Sequence, residues 1–302
     1  MRSFPIGSVN IANQAAARGT TISTDLRDVP AEEYWQRFNA MVNGDGGLLT
    51  YRYLGRKTAM LHGRPHDTMR IRRDMRSGSG AIMAAPLAIA SAEAGGFSDV
   101  DSIPAPVTAA LHIIDDGLGV TEIAMLRTPI HVGRTMGFSQ CEIVDAADPT
   151  RLLAISYGTG IRLADAPAGF EPLDLPPDIE DRPDLPPLPQ VFGAARRPDG
   201  VWELPAMTPE NMSTSGSLHL GPTHVVLEAA ATELAEREAG TSAIRIEDWT
   251  VMFVARGTDG PFVVDGAVST GGYGRIACRL SLRDQGRGNR IVASAVAMFR
   301  RV

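Results

Sequence analysis

Residues 246–299 read IEDWTVMFVARGTDGPFVVDGAVSTGGYGRIACRLSLRDQGRGNRIVASAVAMF, and residues 107–161 read VTAALHIIDDGLGVTEIAMLRTPIHVGRTMGFSQCEIVDAADPTRLLAISYGTGI. Laid over one another, the two stretches bring Gly133 onto Gly272, Asp145 onto Asp284, Arg151 onto Arg290 and Ala154 onto Ala293 at a single offset. Upstream of each lies a Gly/Ser loop and an Ala-rich stretch: SGSGAIMAAPLAIASAEAGG at 77–96 and SGSLHLGPTHVVLEAAATELAEREAG at 215–240. A unit of this length is too long for a solenoid repeat and suits two small domains sharing an interface.

Within the repeat, RIACRLSLR alternates. Ile276, Cys278, Leu280 and Leu282 point one way and Arg275, Arg279 and Arg283 the other, as expected of an antiparallel strand with one wet face. Strands are expected near 105–115, 120–132, 135–145 and 151–162, and again near 244–256, 261–270, 274–284 and 290–301. Helices are expected at 81–94 and 221–238. Both helices are apolar nearly all round, so each needs wrapping, and the antiparallel sheet of its own unit is the available wrapping. The expected fold is therefore α+β, a tandem hotdog in which each sheet curls around a long apolar helix, the two sheets joined edge to edge.

Outside the repeat, residues 1–27 read as a polar arm. Asp28 and Pro30 read as the start of a helix through AEEYWQRFNAMVNG, and LLTYRYLG and KTAMLHGRPHDTMRIRRDM as strands. Residues 164–198 hold nine of the 21 prolines and should form an extended linker. The expected divisions are an arm and helix at 1–49, a first unit at 50–163, the linker, and a second unit at 199–302.

A net charge of −6 argues against a nucleic-acid binder. The N-terminal stretch has no secretory pattern and no window approaches a membrane span, which points to the cytoplasm. Cys141 and Cys278 fall in strand-like runs and read as reduced core thiols. The six histidines show no ligand spacing, so no metal is implied. Gly78-Ser79-Gly80 lacks the third glycine and the repeated βαβ context of a dinucleotide site.

The helix entry carries a resemblance. His219-Leu220-Gly221 is followed nine residues after the His by Glu228, and one turn later by Thr232. This resembles the hotdog-fold acyl-CoA thioesterases, in their fused two-unit form, of the phenylacetate-degradation and hydroxybenzoyl-CoA types. Those carry a His-Gly-Gly-like turn, so His-Leu-Gly departs from the pattern; the first unit shows Ser79-Gly80-Ala81, with Ala88 in the carboxylate position. The resemblance implies a thioesterase with Glu228 as base or nucleophile, Thr232 beside it, His219 ordering the helix entry, and an oxyanion site at the helix start near Gly80 of the other unit. It implies one working site per chain and no cofactor apart from the coenzyme A of the substrate. The basic run Arg70, Arg72, Arg73 and Arg76 reads as a solvated strand face or, at Arg73 and Arg76, as a contact for the coenzyme phosphates. A pairing of whole chains into a homodimer through outer faces is a further expectation. The alternatives are a non-catalytic acyl-CoA or lipid-binding protein, and a hotdog enoyl-CoA hydratase, which would carry an Asp-x-Asn-Pro-x-His-like segment not found here.

Overall fold

A computed structural model of the chain describes residues 25–43, 47–55, 66–91, 94–171 and 178–301. Among the described residues, eleven strands form one sheet in the order β1-β3-β4-β5-β2-β8-β11-β10-β9-β7-β6. The first half supplies β1 (Asp67–Arg70), β2 (Ser102–Ile113), β3 (Glu122–Val132), β4 (Met136–Asp145) and β5 (Leu152–Asp165). The second supplies β6 (Ala195–Arg196), β7 (Trp202–Leu204), β8 (Ile244–Phe253), β9 (Phe262–Thr270), β10 (Arg275–Asp284) and β11 (Arg290–Arg301). Read outward from the centre, β2-β5-β4-β3-β1 mirrors β8-β11-β10-β9-β7. The halves join where β2 pairs antiparallel with β8, from Thr108 opposite Met252 to His112 opposite Asp248.

The register repeats along with the order. Ile143 faces Ala154 in the first half and Leu282 faces Ala293 in the second, and in both a bulge follows at once, between Ile143 and Val144 and between Leu282 and Arg283. A bulge bends its strand and sharpens the twist, so the two sheets curl at equivalent points. On β10 the expected alternation holds, with Ile276, Cys278, Leu280 and Leu282 buried. Both cysteines are buried and neither is in a disulfide.

The helices among the described residues are α1 (Ala31–Asn43), α2 (Leu49–Arg52), α3 (Ala84–Ser91), α4 (Leu188–Val191) and α5 (Leu220–Ala239). Every residue of α3 is buried, as is every residue of α5 from Gly221 to Ala231. The reason is that each lies on its own sheet and against the other helix; the last two turns of α5, with Arg237 and Glu238, reach water. A left-handed Gly240 ends α5. One continuous core draws on both halves, from Ile89 and Ile143 to Trp249 and Phe299.

Several expectations are corrected outside the repeat. The stretch LLTYRYLG contains the helical turn α2 in place of a strand, because Leu48, Tyr51 and Leu54 all face inward at helical spacing. Of the second proposed strand, Asp67–Arg70 is strand and Arg73–Met75 a 3-10 turn, while 56–65 lie outside the described residues. Asp28 does not cap α1: it ends a 3-10 turn capped by Asp25, and α1 opens at Ala31. The linker is not wholly extended, since the helix α4 falls within it. Residues 1–24, most of the proposed arm, lie outside the described residues. α1 and α2 make a second small core of Tyr34, Phe38, Val42 and Leu48, laid over Ile103. Among the described residues no helix is long and apolar enough to cross a membrane.

Candidate active site

Glu228 stands midway along α5 with 3 % of its surface exposed. Its two carboxylate oxygens accept hydrogen bonds from the backbone N–H groups of Ala84 (2.7 Å) and Ala85 (2.6 Å). These are the first two residues of α3, whose N–H groups have no partner inside their own helix. A carboxylate of the second half thus meets the positive end of the helix of the first half. Burial pushes the Glu228 carboxyl up from 4.5 to about 7, while the N–H groups of Ala85 and Ala84 pull in the opposite direction. Around it Ser77, Ala81, Ile82, Met83 and Thr232 enclose a cavity of about 20 Å³, room for roughly one water molecule.

The expected donor position, Gly80, is corrected by four residues. Gly80 lies in the turn before α3, and its carbonyl accepts from Arg76. Local structure fixes the true correspondence of the halves here. The 3-10 turns Arg73–Met75 and Pro209–Asn211, the bridges Arg76–Ile82 and Met212–Leu218, and the turn bonds Gly80 N–H to Ser77 and Gly216 N–H to Ser213 all match at one spacing. Gly80 and Gly216 both take positive φ, +84° and +67°, as that turn requires. Ala84 and Ala85 therefore correspond to Leu220 and Gly221, and Glu228 corresponds to Ala92, not Ala88; residue 92 lies outside the described residues. α3 starts at Ala84 in place of 81 because residues 77–83 form this turn and bridge.

His219 is not brought to Glu228. It caps the start of α5, its Nδ1 accepting from the N–H of Gly221 at 3.2 Å, with the Thr50 hydroxyl 2.9 Å from the same nitrogen. Nine residues of helix, roughly 13 Å, separate it from Glu228. It belongs instead to a second cavity of about 570 Å³, lined among others by Phe38, Leu48, Met125, Ser217 and Leu220. Nor is Arg76 available to a phosphate, since its guanidinium donates to the carbonyls of Gly80, Gly117 and Val120. Arg73 pairs with Asp181 on the surface. Among the described residues no cluster of three or more His, Cys, Asp or Glu is placed to hold a metal.

The sequence reading missed Ser77, Ala84 and Ala85, and also the buried His224. The Nδ1 of His224 accepts from the Trp249 indole N–H at 2.9 Å, and burial drives its ring down to about 3. Nothing in an Ala-Ala pair advertises two backbone donors; their place at the helix start is the only signal.

The solved structures similar to this chain share its architecture. A tesB protein of Mycobacterium avium subs paratuberculosis matches over 77 % of this chain and 92 % of its own, at 12 % identity and a TM-score of 0.53. A protein of Alicyclobacillus acidocaldarius described as having a hot dog fold matches over 78 % and 92 %, at 10 % identity and 0.51. The chain has the hotdog fold. An acyl-CoA thioesterase II of Mycobacterium marinum matches over 84 % and 96 %, at 14 % identity and 0.50. No protein-family model and no curated protein matches the chain. The expected resemblance to hotdog thioesterases holds at the level of fold, which at these identities is as far as the likeness reaches.

Proposed function

We propose that the chain is a double hotdog, with units at 50–163 and 199–302, that hydrolyses an acyl thioester such as an acyl-CoA. The observation that carries this is the buried Glu228 carboxylate set against the two free N–H groups that open α3. A thioester needs an electrophilic pole for its carbonyl oxygen and a base or nucleophile at its carbonyl carbon. In this reading the substrate oxygen displaces the carboxylate from Ala84 and Ala85, and Glu228 draws back toward Thr232. It then takes a proton from a water whose oxygen adds to the carbonyl carbon, or adds there itself. The charge that gathers on the carbonyl oxygen rests on the two N–H groups. The carbon–sulfur bond then breaks. On the base route the thiolate leaves with the proton that Glu228 took. On the nucleophile route it leaves an acyl-Glu228 anhydride that a water hydrolyses, releasing the acid and restoring the carboxylate while the thiolate takes up a proton. Thr232, on the same cavity wall, offers a hydroxyl to hold the water or the withdrawn carboxylate. Of the two arginines, only Arg73 stays exposed for the coenzyme.

A second reading, a binding protein without hydrolysis, draws on the small volume at Glu228: a carbonyl enters only if the side chain moves off both donors. One assay separates the two. Thiol release from a panel of acyl-CoAs is expected, with Glu228→Gln slowing it by roughly 100-fold or more while acyl-CoA still binds. Unchanged release in that variant would overturn the role of Glu228, and binding without release in the wild type would favour the second reading.

A further inference from the structure

The two ends of the α3–α5 pair should be alike by the internal repeat, yet the cavity at one end holds about 20 Å³ and at the other about 570 Å³. The cause lies in helix length. α5 runs for 20 residues, whereas the chain after α3 has left its helix by Ala94 and drops onto the sheet. There Gly95 lies so close to Gly137, and Ala94 to Gly160, that a Cβ on either strand glycine would meet backbone at about 2.2 Å or less. At the matching positions of the second half stand Ile276 and Phe299, both buried, where the first half has glycines with the backbone of Ala94 and Gly95 laid on them. The N-terminal layer closes the space from outside with Phe38, Val42 and Leu48.

We propose that this larger cavity is a separate binding site for an acyl ligand, a chain with a carboxylate or carbonyl head, which it holds without hydrolysing. Its volume falls in the roughly 300–1,000 Å³ range of small-molecule sites. Phe38, Val42, Leu48, Phe97 and Met125 form an apolar wall for a chain. The head is indicated by the other half, where the N–H groups of Ala84 and Ala85 grip a carboxylate. Of their counterparts, Gly221 gives its N–H to His219, while the N–H of Leu220, which lines the cavity, has no bond to any described residue. The residue corresponding to Glu228 in sequence is Ala92, a residue type with no carboxylate to act as a base. The proposal stands whether or not Glu228 is catalytic.

Titration calorimetry of the full chain with decanoate tests it. One molecule of decanoate is expected to bind per chain. Val42→Trp, which fills the cavity from the added N-terminal layer, should weaken binding at least tenfold, and Glu228→Gln should leave it unchanged. In parallel, a diazirine analogue of decanoic acid on the wild type should label residues 38–42, 48–51 and 97–106. Absence of binding, binding that survives Val42→Trp but not Glu228→Gln, or labels confined elsewhere would each overturn it. None of these touches the thioesterase reading, which rests on thiol release.

Discussion

Glu228 is held between two opposing effects, burial that disfavours its charge and two N–H groups that favour it. Its folded carboxyl sits near 7 and its unfolded one near 4.5, so between those values the unfolded chain loses its proton first. From this group, folding stability is lost as pH rises from about 4.5 to 7 and then levels off. The full effect has an upper limit of about 3 kcal/mol. His224 acts in the opposite sense: with its ring down at about 3 against 6.5, it costs stability as pH falls below 6.5. Denaturant midpoints between pH 5 and 8, wild type against Glu228→Gln, isolate the first effect. The variant is expected to lose the downward slope, and a parallel pair of curves would show that Glu228 ionises as an ordinary carboxylate. The same ionisation predicts that thiol release climbs with pH through about 7, since only the carboxylate can accept the proton.

At the scale of the element, the start of α3 decides whether Glu228 has partners. Ala84 is the first helical residue, a place where proline is well tolerated because its missing N–H would have no helical bond. Ala84→Pro should therefore keep the helix and delete one donor, lowering thiol release by about 100-fold. Far-UV circular dichroism should be unchanged; a full rate with the donor gone would remove α3 from the mechanism. Helix length is controlled elsewhere, at the close crossing of Gly95 over Gly137. Gly137→Ala places a Cβ against the Gly95 carbonyl and should destabilise by about 1–3 kcal/mol, read as a lowered denaturant midpoint. The same substitution at Gly272, which has nothing within 4 Å, serves as control.

Across the whole molecule, the sheet runs unbroken through the β2–β8 seam and one core draws on both halves. Neither half covers its own helix alone, because α3 and α5 each form part of the other's wrapping. Calorimetry of the full chain is expected to show one cooperative transition with matching calorimetric and van't Hoff enthalpies. Two resolved transitions would mean that the seam is weak and the halves fold independently. This mutual wrapping also makes the site, since donors from one half and carboxylate from the other meet only across it.

The sequence by itself determined the antiparallel strands and the apolar stretches that became α3 and the first half of α5. Those features are local or periodic, and burial on both sides of a segment shows in its composition. It also marked Glu228, because a carboxylate in the middle of an Ala/Val/Leu helix stands out. It did not determine the donor residues. AIMAAP carries no Ser, Thr, Asp or Asn to cap the helix, so its start was set by a turn and a bridge between Arg76 and Ile82, and the alignment slipped by one helical turn. Nor did it reveal the N-terminal layer or the larger cavity. LLTYRYLG alternates like a strand but coils to bury Leu48, Tyr51 and Leu54 against neighbours distant in sequence. The cavity lies where the chain, out of its helix by Ala94, crosses two strand glycines beneath the N-terminal layer, which is a relation between elements and has no pattern in the chain.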